Sequence, residues 1–169
     1  MTPFLLATLL SLPANAVTAE KGEAAPKVRG TTVAHGPLEL ADLKGEIVVL
    51  SFWASWCPPC ITDLDRLAAE DTALRAEGIR IITVNVDQSH EADAVDALVA
   101  AHGWDMPVMR DPRSRVLGTY FSTRSVPVSA VIDHEGVLRE LHLSWDEGDA
   151  AQVMEEAREE GKVVEMGED

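Results

Sequence analysis

Cys57 and Cys60 are the only cysteines in a chain of 169 residues, two positions apart in the run Phe52-Trp-Ala-Ser-Trp-Cys-Pro-Pro-Cys60. Thiols at this spacing can open and close as a disulfide, provided the backbone between them turns. A β-branched and aromatic run at residues 46–53 precedes them, and a helical pattern runs from about Cys57 to Gly78. The pair therefore sits where a buried strand hands over to a helix. Unpaired N–H groups and the positive end of the helix dipole favour a thiolate at Cys57, and one helical turn brings Cys60 within reach of it. Pro58 and Pro59 cost little there, because first-turn N–H groups have no intrahelical partner. A strand-to-helix C-x-x-C reads as a redox dithiol. Zinc would need about four ligands, and neither a second C-x-x-C nor an H-x₃₋₅-H pair exists among His35, His90, His102, His134 and His142. An inert structural disulfide would gain little entropy from so short a loop.

Elements on either side must hold this pair in place. Residues 79–86 (IRIITVNV) form a second buried-strand pattern. Ser89 is a cap for a helix reaching His102 and stopped by Gly103. A short strand at 107–110, a possible cap at Asp111 and a short helix at 114–121 follow. Strands at 128–132 and 137–143 flank the turn Asp133-His-Glu-Gly136. A final amphipathic helix is predicted over 149–160, closed by Gly161. The order is βαβ, an extra helix and strand, then αββα: an α/β sandwich on a mixed sheet.

The composition is that of an ordinary globular protein, 46% apolar and 25% charged, and the length suits one domain. A net charge of −15 argues against nucleic-acid binding and against docking on anionic lipid. Nine of those negative charges fall within residues 140–169, which reads as a solvated acidic helix face and tail. Residues 4–12 form an apolar stretch too short to span a bilayer, followed by Ala14-Asn15-Ala16, the small-x-small pattern of a signal-peptidase site. Residues 1–16 are thus expected to be a signal peptide, although no Lys or Arg precedes the apolar core, and an uncleaved anchor is the alternative. Residues 17–30 read as a linker and residues 31–169 as the domain.

The motif FWASWCPPC resembles the TlpA/ResA-type thiol:disulfide oxidoreductases of the thioredoxin superfamily. Residues 38–45 match the segment before the first central strand, and the helix and strand between Val86 and Asp111 match the group's insertion. Val126-Pro127 matches its cis-proline loop, and Asp133-His-Glu-Gly136 its late hairpin. The resemblance implies a thioredoxin fold, a central mixed β-sheet flanked by helices with that inserted helix and strand. It implies Cys57 as attacking thiolate, Cys60 as resolving thiol, and a cis Pro127 presenting the Val126 backbone to a substrate strand. Trp56 matches the aromatic beside the pair, where core packing and shaping of the docking surface are both open; Pro58 and Pro59 lie between the thiols, and Trp53 reads as core. Relatives often carry a Glu three residues after the second cysteine, whereas this chain has Asp63. It is either a proton relay for Cys60 or a solvated carboxylate paired with Arg66. Ser51 stands where cytosolic thioredoxins carry a buried Asp, and Asp65 where relatives often have a helix-kinking Pro.

The implied function is an exported, periplasmic protein-disulfide reductase acting on cysteines of apocytochrome c or of copper sites. It would be re-reduced by a membrane thiol-electron donor of DsbD/CcdA type. No cofactor beyond the Cys57–Cys60 disulfide, no metal, no nucleic acid and a monomeric state are expected. The alternative is a thioredoxin-fold copper chaperone holding Cu(I) through the two thiolates. Such proteins typically space their cysteines by three residues and add a distant His, and His134 and His142 read more simply as turn and strand residues. A peroxidase would want a Thr three residues before the attacking cysteine, where this chain has Ala54.

Overall fold

The computed structural model describes residues 18–143 and 149–167. The expected signal peptide, residues 1–16, lies outside the described residues. Among the described residues no helix is long and apolar enough to cross a membrane.

Seven strands form one mixed sheet: β1 Arg29–Thr32, β2 Gly36–Glu39, β3 Ile47–Trp53, β4 Ile79–Asn85, β5 Val108–Arg110, β6 Val128–Ile132 and β7 Leu138–His142, in the spatial order β2-β1-β5-β4-β3-β6-β7. β3, β4 and β5 run parallel, and β6 and β7 extend the sheet antiparallel on the β3 side. The helices are α1 Pro58–Ala76, α2 Ala92–His102, α3 Arg115–Tyr120 and α4 Asp149–Gly167. This is the predicted mixed sheet flanked by helices, including the inserted α2 and β5.

β3 is buried along its whole length, so it carries apolar residues on both faces rather than alternating. On one face Trp53 meets Trp104 edge-on at 5.4 Å, and on the other Phe52 meets Phe121 at 5.2 Å. Trp53 is core, as its pattern indicates. The short strands β1 and β2 are not evident in the residue pattern, because their side chains are mostly exposed and carry no apolar alternation. The stretch read as linker is tied down before β1 begins. Gly22 N–H donates to Leu138 O, Ala24 bridges to Val137, and Val28 is buried.

Two expectations are corrected. Ser89 does not cap α2: Gln88 caps a short 3-10 turn, in a reciprocal capping box with Glu91, and α2 begins at Ala92. Gly161 does not end α4, which runs through it to Gly167. A Cβ at Gly161 would lie 3.4 Å from Ile47 Cδ1, which places this turn of α4 against the start of β3. Ile47 opens β3 and Trp53 closes it, which puts this contact about 20 Å from the cysteine end of the strand. The C-terminal end of α4 therefore lies toward the far end of the sheet, whereas Glu156, paired with His142 opposite Ser129, lies nearer the cysteine end.

The turn between β6 and β7 is organised by Asp133, whose side chain is buried. It accepts hydrogen bonds from the N–H groups of Glu135 and Val137, at 2.9 and 2.8 Å, and from Arg139 at 2.6 Å. Burial pushes the carboxyl pKa up, but the Val137 N–H, the Arg139 guanidinium and the Glu135 N–H together hold it below the ordinary carboxylate range. Its stabilising contribution is thus present above the unfolded-state value, about pH 4, and is lost as the pH falls through the lower folded value. In urea titrations of wild type and Asp133→Asn, the variant is expected to be less stable at neutral pH. The difference should shrink steadily as the pH is lowered below about 4.

Candidate functional site

The site is built where β3 ends. Trp53 O accepts a hydrogen bond from Val86 N–H at 2.9 Å, so the chain leaving β3 is held against the chain leaving β4. Ser55 strengthens this tie: its N–H and Oγ donate to the two carboxylate oxygens of Asp87, at 2.7 and 2.8 Å. Asn85 Nδ2 donates to Asp87 Oδ2 at 2.6 Å. Asp87 is only 4% exposed, and these three donors satisfy a carboxylate that would otherwise be costly to bury.

Two residues further on, Cys57 caps α1. Its backbone is extended (φ −106°, ψ 92°), and Pro58 and Pro59 fill the first two helical positions. Neither proline has an N–H, so the first free donor of the helix is the N–H of Cys60, which donates to Cys57 Sγ at 3.3 Å. The sulfur thus takes the place that a Ser or Asp oxygen takes in ordinary helix caps. Both cysteines are buried, at 4% and 2% exposure, and they are joined in a disulfide with Cα atoms 5.3 Å apart. Once the bond is reduced, the same N–H and the helix end favour charge on Cys57.

The other predicted residues fall around this pair. Trp56 is 59% exposed, which excludes core packing and leaves it on the surface immediately before Cys57. The Val126–Pro127 peptide is cis, and Val126 is fully buried. β6 pairs with β3 so that Val128 lies opposite Phe52, which brings Val126 and Pro127 to the cysteine end of the sheet. Asp63 lies one helical turn after Cys60 on α1. Its side chain is only 10% exposed, so it is not a solvated carboxylate, and Arg66 Nη1 stands 3.4 Å from its Oδ1. Ser51 is buried in β3.

Asp87 and Ser55 had not been singled out in the sequence. The signal was available: Asn85 ends a buried parallel strand and Asp87 follows it by two residues, at the carboxyl edge where α/β sheets place their sites. Asp65 also has a defined place. Its Oδ1 accepts from Trp104 Nε1 and pairs with His102 Nδ1, both at 2.8 Å, tying α1 to the end of α2. α1 is a single helix, Pro58–Ala76. Among the described residues, one group of side chains could close on a metal ion: Glu140, His142 and Glu156, whose ligand atoms lie within 4.8 Å of one another. His142 is paired with Glu156 and Glu140 with Lys21, and neither cysteine belongs to the group.

The AhpC/TSA family model matches residues 21–141. The chain is 34% identical over 99 residues to the thiol-disulfide oxidoreductase ResA of Bacillus subtilis, covering 59% of this chain and 54% of that protein. It is 32% identical over 115 residues to ResA of Bacillus thuringiensis, covering 68% of this chain and 65% of the relative. It therefore spans between half and two-thirds of these relatives' length. Among solved structures, a candidate thiol:disulfide interchange protein DsbE from Chlorobium tepidum superposes with a TM-score of 0.72 at 26% identity. That match covers 83% of this chain and 99% of the other. The mixed sheet with its flanking helices is thus the thioredoxin-type architecture that the motif implies.

Removing the Asp87 carboxylate leaves the Ser55 N–H, the Ser55 hydroxyl and the Asn85 amide without their acceptor. Asp87→Ala is expected to lower stability by about 2–4 kcal/mol in denaturant titrations of the oxidised protein. Asp87→Asn, which keeps the shape but replaces one acceptor oxygen with a donor, should lie between the two.

Proposed function

Because the chain belongs to the AhpC/TSA family, we propose that it is an exported thiol:disulfide oxidoreductase that reduces disulfides in periplasmic proteins through Cys57 and Cys60. The observation that carries this reading is the cap: Cys57 Sγ accepts the first free N–H of α1 while bonded to Cys60, so one sulfur is both redox-active and electrostatically favoured as a thiolate. The two relatives named thiol-disulfide oxidoreductase support the same chemistry. The apolar stretch at residues 4–12 followed by Ala14-Asn15-Ala16 supports export.

In the reduced state, the Cys57 thiolate attacks one sulfur of a substrate disulfide. The substrate S–S bond breaks, a mixed disulfide forms, and the departing substrate thiolate takes up a proton. Cys60 then gives up its proton, through Asp63 on the same helix, and attacks Cys57 Sγ. The mixed disulfide breaks, the Cys57–Cys60 bond forms, and the substrate leaves as a dithiol that has gained two electrons from the pair, one proton from Cys60 and one from solvent. The structure corresponds to this oxidised end point. The Val126 backbone, at the same end of the sheet, receives the substrate segment, with Trp56, Pro58 and Pro59 forming the rim around the sulfur. A membrane thiol donor of DsbD/CcdA type returns the two electrons, and cysteines of apocytochrome c or of copper sites are the proposed substrates. Ala54 offers no hydroxyl to polarise a peroxide, which sets this site apart from peroxidase chemistry.

The decisive experiment expresses Cys60→Ser in the periplasm, separates proteins without reductant and identifies the trapped partners. Cys57-dependent mixed disulfides should accumulate, since nothing resolves them. Absence of adducts, together with failure of the wild type to reduce a model disulfide, would overturn the reading. The role of Asp63 is tested separately, by following alkylation of Cys60 against pH in the reduced protein. Asp63→Asn should displace the curve from wild type, and superimposed curves would remove Asp63 from the proton path.

A further inference from the structure

A groove of about 450 Å³ opens beside Trp56, lined also by Asp87, Glu91, Arg113, Ser114 and Arg124. Two arginines balance two acids in its lining, in a molecule whose acids outnumber its bases two to one. In a chain with 29 acids and 14 bases, six of the ten arginines pair with a carboxylate, Arg66, Arg75, Arg80, Arg110, Arg139 and Arg158, whereas Arg29 and Arg115, which do not line the groove, have none among the described residues. Among the described residues no carboxylate is paired with Arg113 or Arg124. The two acids of the groove accept from uncharged donors and pair with neither arginine, Asp87 accepting from Ser55 and Asn85, and Glu91 from the N–H of Gln88.

Local structure holds both arginines at this place. The Asp111 carboxylate caps α3, accepting from the N–H groups of Arg115 and Val116 at 2.8 Å each. Between cap and helix, Ser114 is forced into the left-handed region (φ 46°), which a serine adopts only when its surroundings demand it. Arg124 packs along Gly118, where a Cβ would lie 3.7 Å from its Nε. It also stands two residues before Val126, and hence at the cysteine end of the sheet.

We propose that this groove recognises an acidic side chain in the substrate protein: an extended segment with its cysteine at Cys57 places a nearby Asp or Glu between Arg113 and Arg124, with Trp56 as its apolar anchor. The inference rests on the oxidoreductase reading and names the substrate class for that same site. A planar guanidinium matches a carboxylate in geometry as well as charge, and an exposed Trp beside arginines is a recurrent composition for a binding hot spot.

The test uses the full chain, pre-reduced, in single-turnover reduction of synthetic peptide disulfides that differ only in carrying Glu, Gln or Lys beside the cysteines. Wild type should favour Glu over Gln in rate per concentration by about five-fold, the sum of two half-exposed ion pairs, with Lys slowest. Arg113→Gln combined with Arg124→Gln should bring the Glu-to-Gln ratio to about one, and paired Arg→Lys changes should retain part of it. The wild-type ratio should also contract when the salt is raised to about 0.5 M. A wild-type ratio of one, or a ratio that survives the double Gln change, would overturn the proposal. Failure of the wild type to reduce any of the three peptides would instead overturn the oxidoreductase reading beneath it.

Discussion

Pro58 and Pro59 leave α1 without its first two N–H groups, so the helix begins with a single usable donor, that of Cys60. The acceptor that meets it is a sulfur. This one contact couples structure to chemistry: the atom that ends the strand-to-helix turn is also the atom that must carry charge when the disulfide opens. Everything else at this end of the sheet keeps that turn in register. Asp87 grips Ser55 from the end of β4, Val86 holds the carbonyl of Trp53, and the buried β3 fixes where the turn starts. A displacement of any of these would move the sulfur relative to the N–H that favours its thiolate.

The same end of the molecule is where charge has been sorted. A chain with so large an acidic excess would repel acidic partners if the excess were uniform. Instead the acids of α4 are partly absorbed by their own partners, Glu156 by His142, Glu160 by Arg139 and Glu155 by Lys162, while the groove beside Trp56 holds two arginines with no acid partner among the described residues.

Which parts of this arrangement were readable in advance follows from how local each one is. β3, α1 and β4 were legible to within a residue or two because burial on both faces of a strand and the period of a helix are written into consecutive residues. The hairpin at Asp133 was legible because its Gly136 and its carboxylate act over four positions. β1 and β2 were not, since a mostly exposed strand has no pattern to show. The end of α4 was misread because a glycine serves as a stop only where the backbone turns left-handed, and Gly161 stays helical, packed near Ile47 more than a hundred positions away.

The sequence by itself determined the chemistry: two cysteines at a helix start, with prolines between them, specify a dithiol poised for exchange whatever surrounds it, since capping and helix electrostatics act within one turn. Tertiary structure decided what the dithiol is presented with. Only folding brings Asp87 under Ser55, turns Trp56 outward, takes Asp63 out of solvent and sets Arg113 and Arg124, from separate segments, around one groove. Those placements depend on pairings between distant strands and on which carboxylate an arginine meets first. No local pattern of residues carries either.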